Sequence, residues 1–203
     1  EQTLITATVT DTIGRNDIER THDSIMFDGE WGINMVVQHL ANLGHTRLGF
    51  ITGQIDARYM SFVTATNNNN LATDIELLRV VPTGAEGWVP KFGGQGAKEL
   101  MNLPQPPDAI VCASDRLAIG AMQWLHQHGY NIPQDIAVTG FDNIPDSDYT
   151  FPPLTTVNVH KELLGELAVE RIVRRIETPN EIPLSIIIPT SLVIRQSCGN
   201  FLN

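Results

Sequence analysis

Apolar and polar positions along this chain alternate between short apolar runs and stretches with helical spacing. Strands are expected at Ile5–Val9, Ser24–Phe27, Arg47–Thr52, Leu77–Val81, Asp108–Ala113, Ile136–Phe141 and Leu154–Val159, and near Leu184–Ile188 and Leu192–Ile194. The run DAIVCA at 108–113 carries no period of two, which marks a strand buried on both faces. Between the strands, Ile33, Val36, Val37 and Leu40 recur at helical spacing until Leu43-Gly44-His45 stops them. Further helices are expected over Ala57–Asn67, from about Gly94 to Met101, from Ser114 to the stop at Gly129, and from about Lys161 to Ile176. Asp11–Asp23 reads as a polar loop.

Regular alternation of strand and helix predicts an α/β fold, a doubly wound parallel sheet with helices on both faces. Neighbouring parallel strands joined by a helix cross over right-handedly. Their carboxyl ends open into one crevice, where such sheets bind ligands. Ser114 follows one strand and Asp142 the next, so the two are expected side by side at a binding site. Ser114 can also cap the helix it precedes. Trp88 follows the Leu77–Val81 strand by a short loop containing Gly84 and Gly87, which places it on the same rim. A core position is the alternative for Trp88. An indole beside carboxylates and an arginine suits a polyhydroxylated ligand, because the ring covers the C–H face and the charged groups take the hydroxyls.

Composition narrows the function classes. The 203 residues suit one large domain or two modest ones, and 42% hydrophobic with 18% charged residues is ordinary for a globular chain. The net charge of −10, with only 13 Lys and Arg, offers little counterion release to a nucleic acid. Any DNA contact is therefore expected from residues outside this sequence. No apolar stretch approaches the ~20 residues of a membrane span, and the first residues do not read as a signal peptide. Cys112 and Cys198 fit no metal spacing, and Cys112 reads as an inert core thiol. The pair leaves a disulfide open, with a reducing cytoplasm the simpler setting.

Other chemistry finds little support. Gly93, Gly94 and Gly96 precede Lys98 without the spacing of a phosphate loop, and read as a flexible helix start. No dinucleotide fingerprint follows a strand, so no cofactor is expected. Asp142, Asp146 and Asp148 lack the ligand spacing of a calcium loop. The six histidines form no zinc pair, and no nucleophile elbow is present.

Several longer words resemble the lactose-repressor/galactose-repressor (LacI/GalR) family of bacterial transcription regulators. They are SIMFDGEWG at 24–32, LGHTRLGFITG at 43–53, PDAIVCASDRLAIGAM at 107–122, IPQDIAVTGFDNIP at 132–145 and FPPLTTVNV at 151–159. The resemblance implies an effector-binding domain of periplasmic-binding-protein type, with two α/β lobes around a cleft and three chain crossings. These are expected near Phe27–Asp28, Asn158–His160 and Ile188–Pro189. Residues 1–27 and 161–187 would form part of an N-terminal lobe, and 28–157 with 190–203 a C-terminal lobe. The lone opening strand fits a first lobe that is incomplete here, and the family's helix-turn-helix headpiece is likewise outside this sequence.

Carried over by position, the effector site implied is Phe27, Arg58, Trp88, Ser114 and Asp142. Arg58 begins the word Arg58-x-x-x-Phe62, with Ser61 where the family usually has glycine, and Ser114 stands where asparagine is frequent. The implied protein is a cytoplasmic, homodimeric, sugar-responsive repressor whose mono- or disaccharide effector changes its affinity for operator DNA. A periplasmic sugar-binding protein serving a transporter and a sugar-modifying enzyme are the other readings weighed.

Overall fold

The computed structural model describes residues 22–72, 74–82 and 84–199, with the backbone alone over 7–11. The expected strand start at Ile5 lies outside the described residues. Two sheets organise the chain. The smaller contains β1 (Ala7–Asp11), β2 (Asp23–Phe27) and β8 (Ser185–Ile188), all parallel, in the order β1-β2-β8. The larger contains β3 (Leu48–Thr52), β4 (Leu78–Val80), β5 (Ala109–Cys112), β6 (Ala137–Asp142), β7 (Thr155–Asn158) and β9 (Ser191–Val193), in the order β4-β3-β5-β6-β7-β9. Its first five strands are parallel, and β9 departs from the expected pattern by pairing antiparallel to β7.

Alternation within the strands builds two cores, one on each face of the larger sheet. Leu48, Phe50, Ala109, Val111 and Ala137 face α1 (Gly29–Asn42) and α2 (Ala57–Asn68), meeting Ile33, Val36, Val37, Leu40 and Phe62. The Phe50 and Phe62 rings stack with centroids 4.6 Å apart. Ile51, Ile110, Cys112 and Val138 point the other way, towards Ala97 and Leu100 of α3 (Pro90–Met101) and Leu117, Ala121 and Leu125 of α4 (Asp115–Gln127). Each such fully buried large side chain contributes about 1.5–3 kcal/mol. Cys112 is enclosed here, and both cysteines are free thiols.

The start of α3 differs from the sequence expectation. The helix begins at Pro90, not near Gly94, so Gly93, Gly94 and Gly96 lie inside it. Glycine weakens a helix, but here it permits close approach. A Cβ at Gly93 would overlap the backbone carbonyl of Leu117, and one at Gly120 would overlap that of Pro90. The two helices thus touch backbone to backbone, a gain that local propensity does not register.

Between the sheets the chain passes three times. Asp28 separates β2 from α1, Val159 and His160 separate β7 from α5 (Lys161–Glu177), and Pro189 and Thr190 separate β8 from β9. These passages are cross-linked. Asp28 N donates to Ile188 O (2.9 Å), Thr190 Oγ1 donates to Asp28 O (3.0 Å), and Ser191 Oγ lies 3.2 Å from His160 Nε2. Helix α5 then packs on β1 and β2. Asp23 at the start of β2 anchors it, accepting from Arg171, from Arg175 and from Leu184 N.

Candidate functional site

Four strand ends build the site. Phe27 closes β2 in the small sheet, whereas Gly53, Ala113 and Phe141–Asp142 lie at the carboxyl ends of β3, β5 and β6. Trp88 comes from the loop between β4 and α3, and Arg58 from the first turn of α2. The indole lies over Gly53, where a Cβ would overlap its ring nitrogen. Only glycine at 53 leaves room for the ring.

Arg58 joins these parts. Its guanidinium carbon lies 4.6 Å from the centroid of the Trp88 ring and 5.5 Å from that of Phe141. The Phe141 ring is in turn 6.0 Å from Phe27, inclined at 44°. Trp88, Arg58, Phe141 and Phe27 therefore form one continuous ladder that reaches from the large sheet to the small one. Phe141 was not singled out from the sequence, although its place beside Asp142 at a strand end could have marked it.

The arginine's charge is met from within the protein. Asp56 Oδ2 accepts from Arg58 Nε (3.3 Å) and Nη2 (2.8 Å), and Ala113 O accepts from Nη1 (3.0 Å). Asp56 also caps α2 by accepting from Tyr59 N. The two side chains are only 8% and 6% exposed, so the pair is well shielded from water. Sequence reasoning missed Asp56; an acidic residue two before an arginine at a helix start was its only signal.

Ser114 and Asp142 stand on adjacent strand ends. Ser114 caps α4, its Oγ accepting from Leu117 N at 3.3 Å, and the residue is 3% exposed. Asp142 is half-buried, with φ +107°, followed by Asn143 at φ +50°. Such backbone costs a non-glycine residue about 1–3 kcal/mol and persists where surrounding structure enforces it. Asn143 N donates to Thr156 Oγ1 (3.3 Å), Asn143 Oδ1 accepts from Arg195 (3.0 Å), and Ile144 N donates to Asp115 Oδ2 (2.8 Å). The five residues implied by the resemblance thus occupy one neighbourhood, linked through Phe141 and Ala113.

Elsewhere, a groove of about 440 Å³ between α3 and α4, lined by Lys91, Gln95, Lys98 and Trp124, contains none of the five. Among the described residues, no group of three or more His, Cys, Asp or Glu could hold a metal ion, and no helix is long and apolar enough to cross a membrane.

Comparison with known proteins agrees with the fold. The family model for the periplasmic binding protein-like domain matches residues 37–198. The PurR transcriptional repressor of Glaesserella parasuis is 32% identical over 177 residues, covering 82% of this chain and 51% of the relative. The ribose operon repressor of Haemophilus influenzae is 31% identical over 184 residues, covering 88% of this chain and 54% of the relative. The chain thus spans about half the length of these relatives. A solved complex of the transcriptional regulator CelR with cellobiose superposes with TM-score 0.82 at 26% identity, covering 93% of this chain and 58% of that one. The chain belongs to the periplasmic binding protein-like domain family, and these relatives and structural neighbours are LacI-type regulators, to which it is similar.

Proposed function

We propose that these residues form the effector-binding domain of a sugar-responsive transcriptional repressor. The observation that carries the reading is the ladder from Trp88 through Arg58 and Phe141 to Phe27, which brings contact groups of both sheets to one place. Residues 1–27 and 161–187 belong to one lobe of the proposed clamshell, and 28–157 with 190–203 to the other. An effector touching both favours one angle between them, and three short passages act as the hinge. That angle sets the separation of two DNA-binding headpieces, which lie outside these residues, and hence their fit to operator half-sites.

The site's charges favour an uncharged effector. Arg58 is already neutralised by Asp56, and Asp142 adds a further carboxylate, so no surplus of positive charge awaits a phosphate. Trp88 offers a stacking face and Asp142 an acceptor for hydroxyls. A neutral mono- or disaccharide matches this set. The cellobiose of the CelR complex is of that class.

Homodimerisation is part of the proposal. Tyr149 and Phe151, 87% and 85% exposed, follow the 3₁₀ turn Pro145–Asp148 and supply an apolar contact for a second copy. The setting proposed is the bacterial cytoplasm.

Thermal denaturation with D-ribose, D-galactose, lactose and cellobiose, against ribose 5-phosphate and hypoxanthine, tests the effector class. A ligand at 100 times its Kd adds about 2.7 kcal/mol, or roughly 5–10 °C in a chain of this size. A shift with at least one neutral sugar and none with the phosphate ester or purine is expected. A shift with the purine or phosphate alone refutes the reading.

A further inference from the structure

Asp115 is wholly enclosed, yet its carboxylate is aimed at the loop that carries Asp142. One oxygen accepts from Thr156 Oγ1 at 2.5 Å and the other from Ile144 N at 2.8 Å. The Thr156 hydroxyl has a second duty, since it accepts from Asn143 N at 3.3 Å. Two consecutive loop amides therefore end on one buried carboxylate, Ile144 directly and Asn143 through the threonine. Gly140 lies against the same carboxylate, and a Cβ there would overlap Asp115 Oδ1. The fold has thus cleared space on β6 for this group and drawn donors to it from β7 and from the loop.

We propose that Asp115 is a positioning residue for the effector site: it latches Asn143 and Ile144, and so holds Asp142 in its left-handed backbone at the cleft. The assignment of Asp142 as an effector contact rests on the function proposed above; the latch itself does not. Both partners donate to the carboxylate, so the latch is strongest when Asp115 is ionised. A proton on Asp115 removes the charge that strengthens both bonds and turns Thr156 Oγ1 from donor to acceptor.

Burial pushes the Asp115 carboxyl up to about 6, with Thr156, Ile144 N, Lys161 and Arg195 opposing that rise. The charged and titratable groups turned towards it are Lys161 at the start of α5, Arg195 of the C-terminal segment and the Cys112 thiol of β5. Mild acidification therefore weakens the latch, and effector affinity falls as pH drops through that value.

The full 203-residue chain allows the test, with near-ultraviolet dichroism checking that each variant folds. Asp115→Asn keeps the size but turns one acceptor into a donor. Thr156→Val removes the relay, and Thr156→Ser keeps it. Hydrogen exchange at the Asn143 and Ile144 amides should accelerate about tenfold in the first two variants, as expected for loss of a charge-assisted bond, and stay as in the parent in the third. The Ile144 amide shift should inflect near pH 6 in the parent and not in Asp115→Asn. Cellobiose and D-ribose, measured by calorimetry, should show about tenfold weaker binding in Asp115→Asn and Thr156→Val for whichever sugar the parent binds.

Unchanged exchange at both amides in Asp115→Asn and Thr156→Val overturns the latch. Faster exchange with undiminished sugar affinity reduces Asp115 to a structural role and overturns its positioning of the site. Should the amides open while the parent binds neither sugar, the latch stands and the sugar reading is what fails.

Discussion

The guanidinium of Arg58 lies 4.6 Å from the Trp88 ring centroid while two of its nitrogens rest on Asp56. A paired and stacked arginine of this kind works as a support. It holds the indole in place on one side and touches Phe141 on the other. Removing it leaves the Asp56 carboxylate enclosed without its cation, so Arg58→Ala should cost about 3–5 kcal/mol. Arg58→Lys should cost less but still lose the fork and the stacking. Urea denaturation of both variants measures the order. A loss under about 1 kcal/mol in Arg58→Ala would show that the pair does not brace the site.

Gly53 supplies the other constraint on Trp88. Alanine there collides with the indole and should turn it out of place, costing about 1–3 kcal/mol through overpacking. The fluorescence of the chain should shift and sugar affinity should fall, while the fold survives. Unaltered emission would mean that the ring is not seated on Gly53 in solution.

The ionised Asp115 weakens the fold in exchange for holding the loop. Its pKa stands near 6, above the unfolded value of 3.8. The stabilising contribution of its protonated form is therefore full below pH 3.8 and lost as pH rises through 6. A shift of this size corresponds to about 3 kcal/mol. Relative to the parent, Asp115→Asn should gain stability by up to about that amount between pH 4 and pH 7.5. Denaturation curves of the pair across this range give the difference directly, and a constant difference contradicts it.

Asp23 has the opposite sign. Burial alone would raise its pKa, but the Leu184 amide and the guanidinium groups of Arg171 and Arg175 hold it below the ordinary value of 3.8. Its contribution is present above pH 3.8 and lost as pH falls through the lower folded value. Asp23→Asn leaves two arginines without their shared carboxylate and should cost about 3–5 kcal/mol at neutral pH. The gap between variant and parent should narrow in acid, which urea melts at pH 7 and pH 3 would reveal.

Two exposed aromatics test the dimer. Tyr149→Asp combined with Phe151→Asp should shift the chain towards monomer in analytical ultracentrifugation without changing its melting temperature at low concentration. A parent that sediments as a monomer at all concentrations removes the proposed contact.

Much of this protein was legible before any coordinates. The apolar runs at Asp108–Ala113 and Ile136–Phe141 became β5 and β6, and Ser114 caps the helix between them as its position implied. Those features are local: a strand buried on both faces shows an unbroken apolar run, and a cap needs only a hydroxyl three residues from an amide. The words at 24–32 and 132–145 also pointed to Phe27 and Asp142, which the fold places at the ends of β2 and β6.

Three-dimensional proximity decided the rest. Helix α3 starts at Pro90 and keeps its glycines inside, where they let α4 come within backbone contact, a gain invisible to a helix-by-helix reading. Phe141 acquired its role only when Phe27 and Arg58 were brought beside its ring, and Asp115 only when Thr156, 41 positions away, came within hydrogen-bonding distance. Sequence alone determined which segments are strands and helices, the start of α3 apart, since these follow from interactions over a few residues. Tertiary packing alone decided which charges are matched and which backbone is held strained, since both depend on what burial brings together.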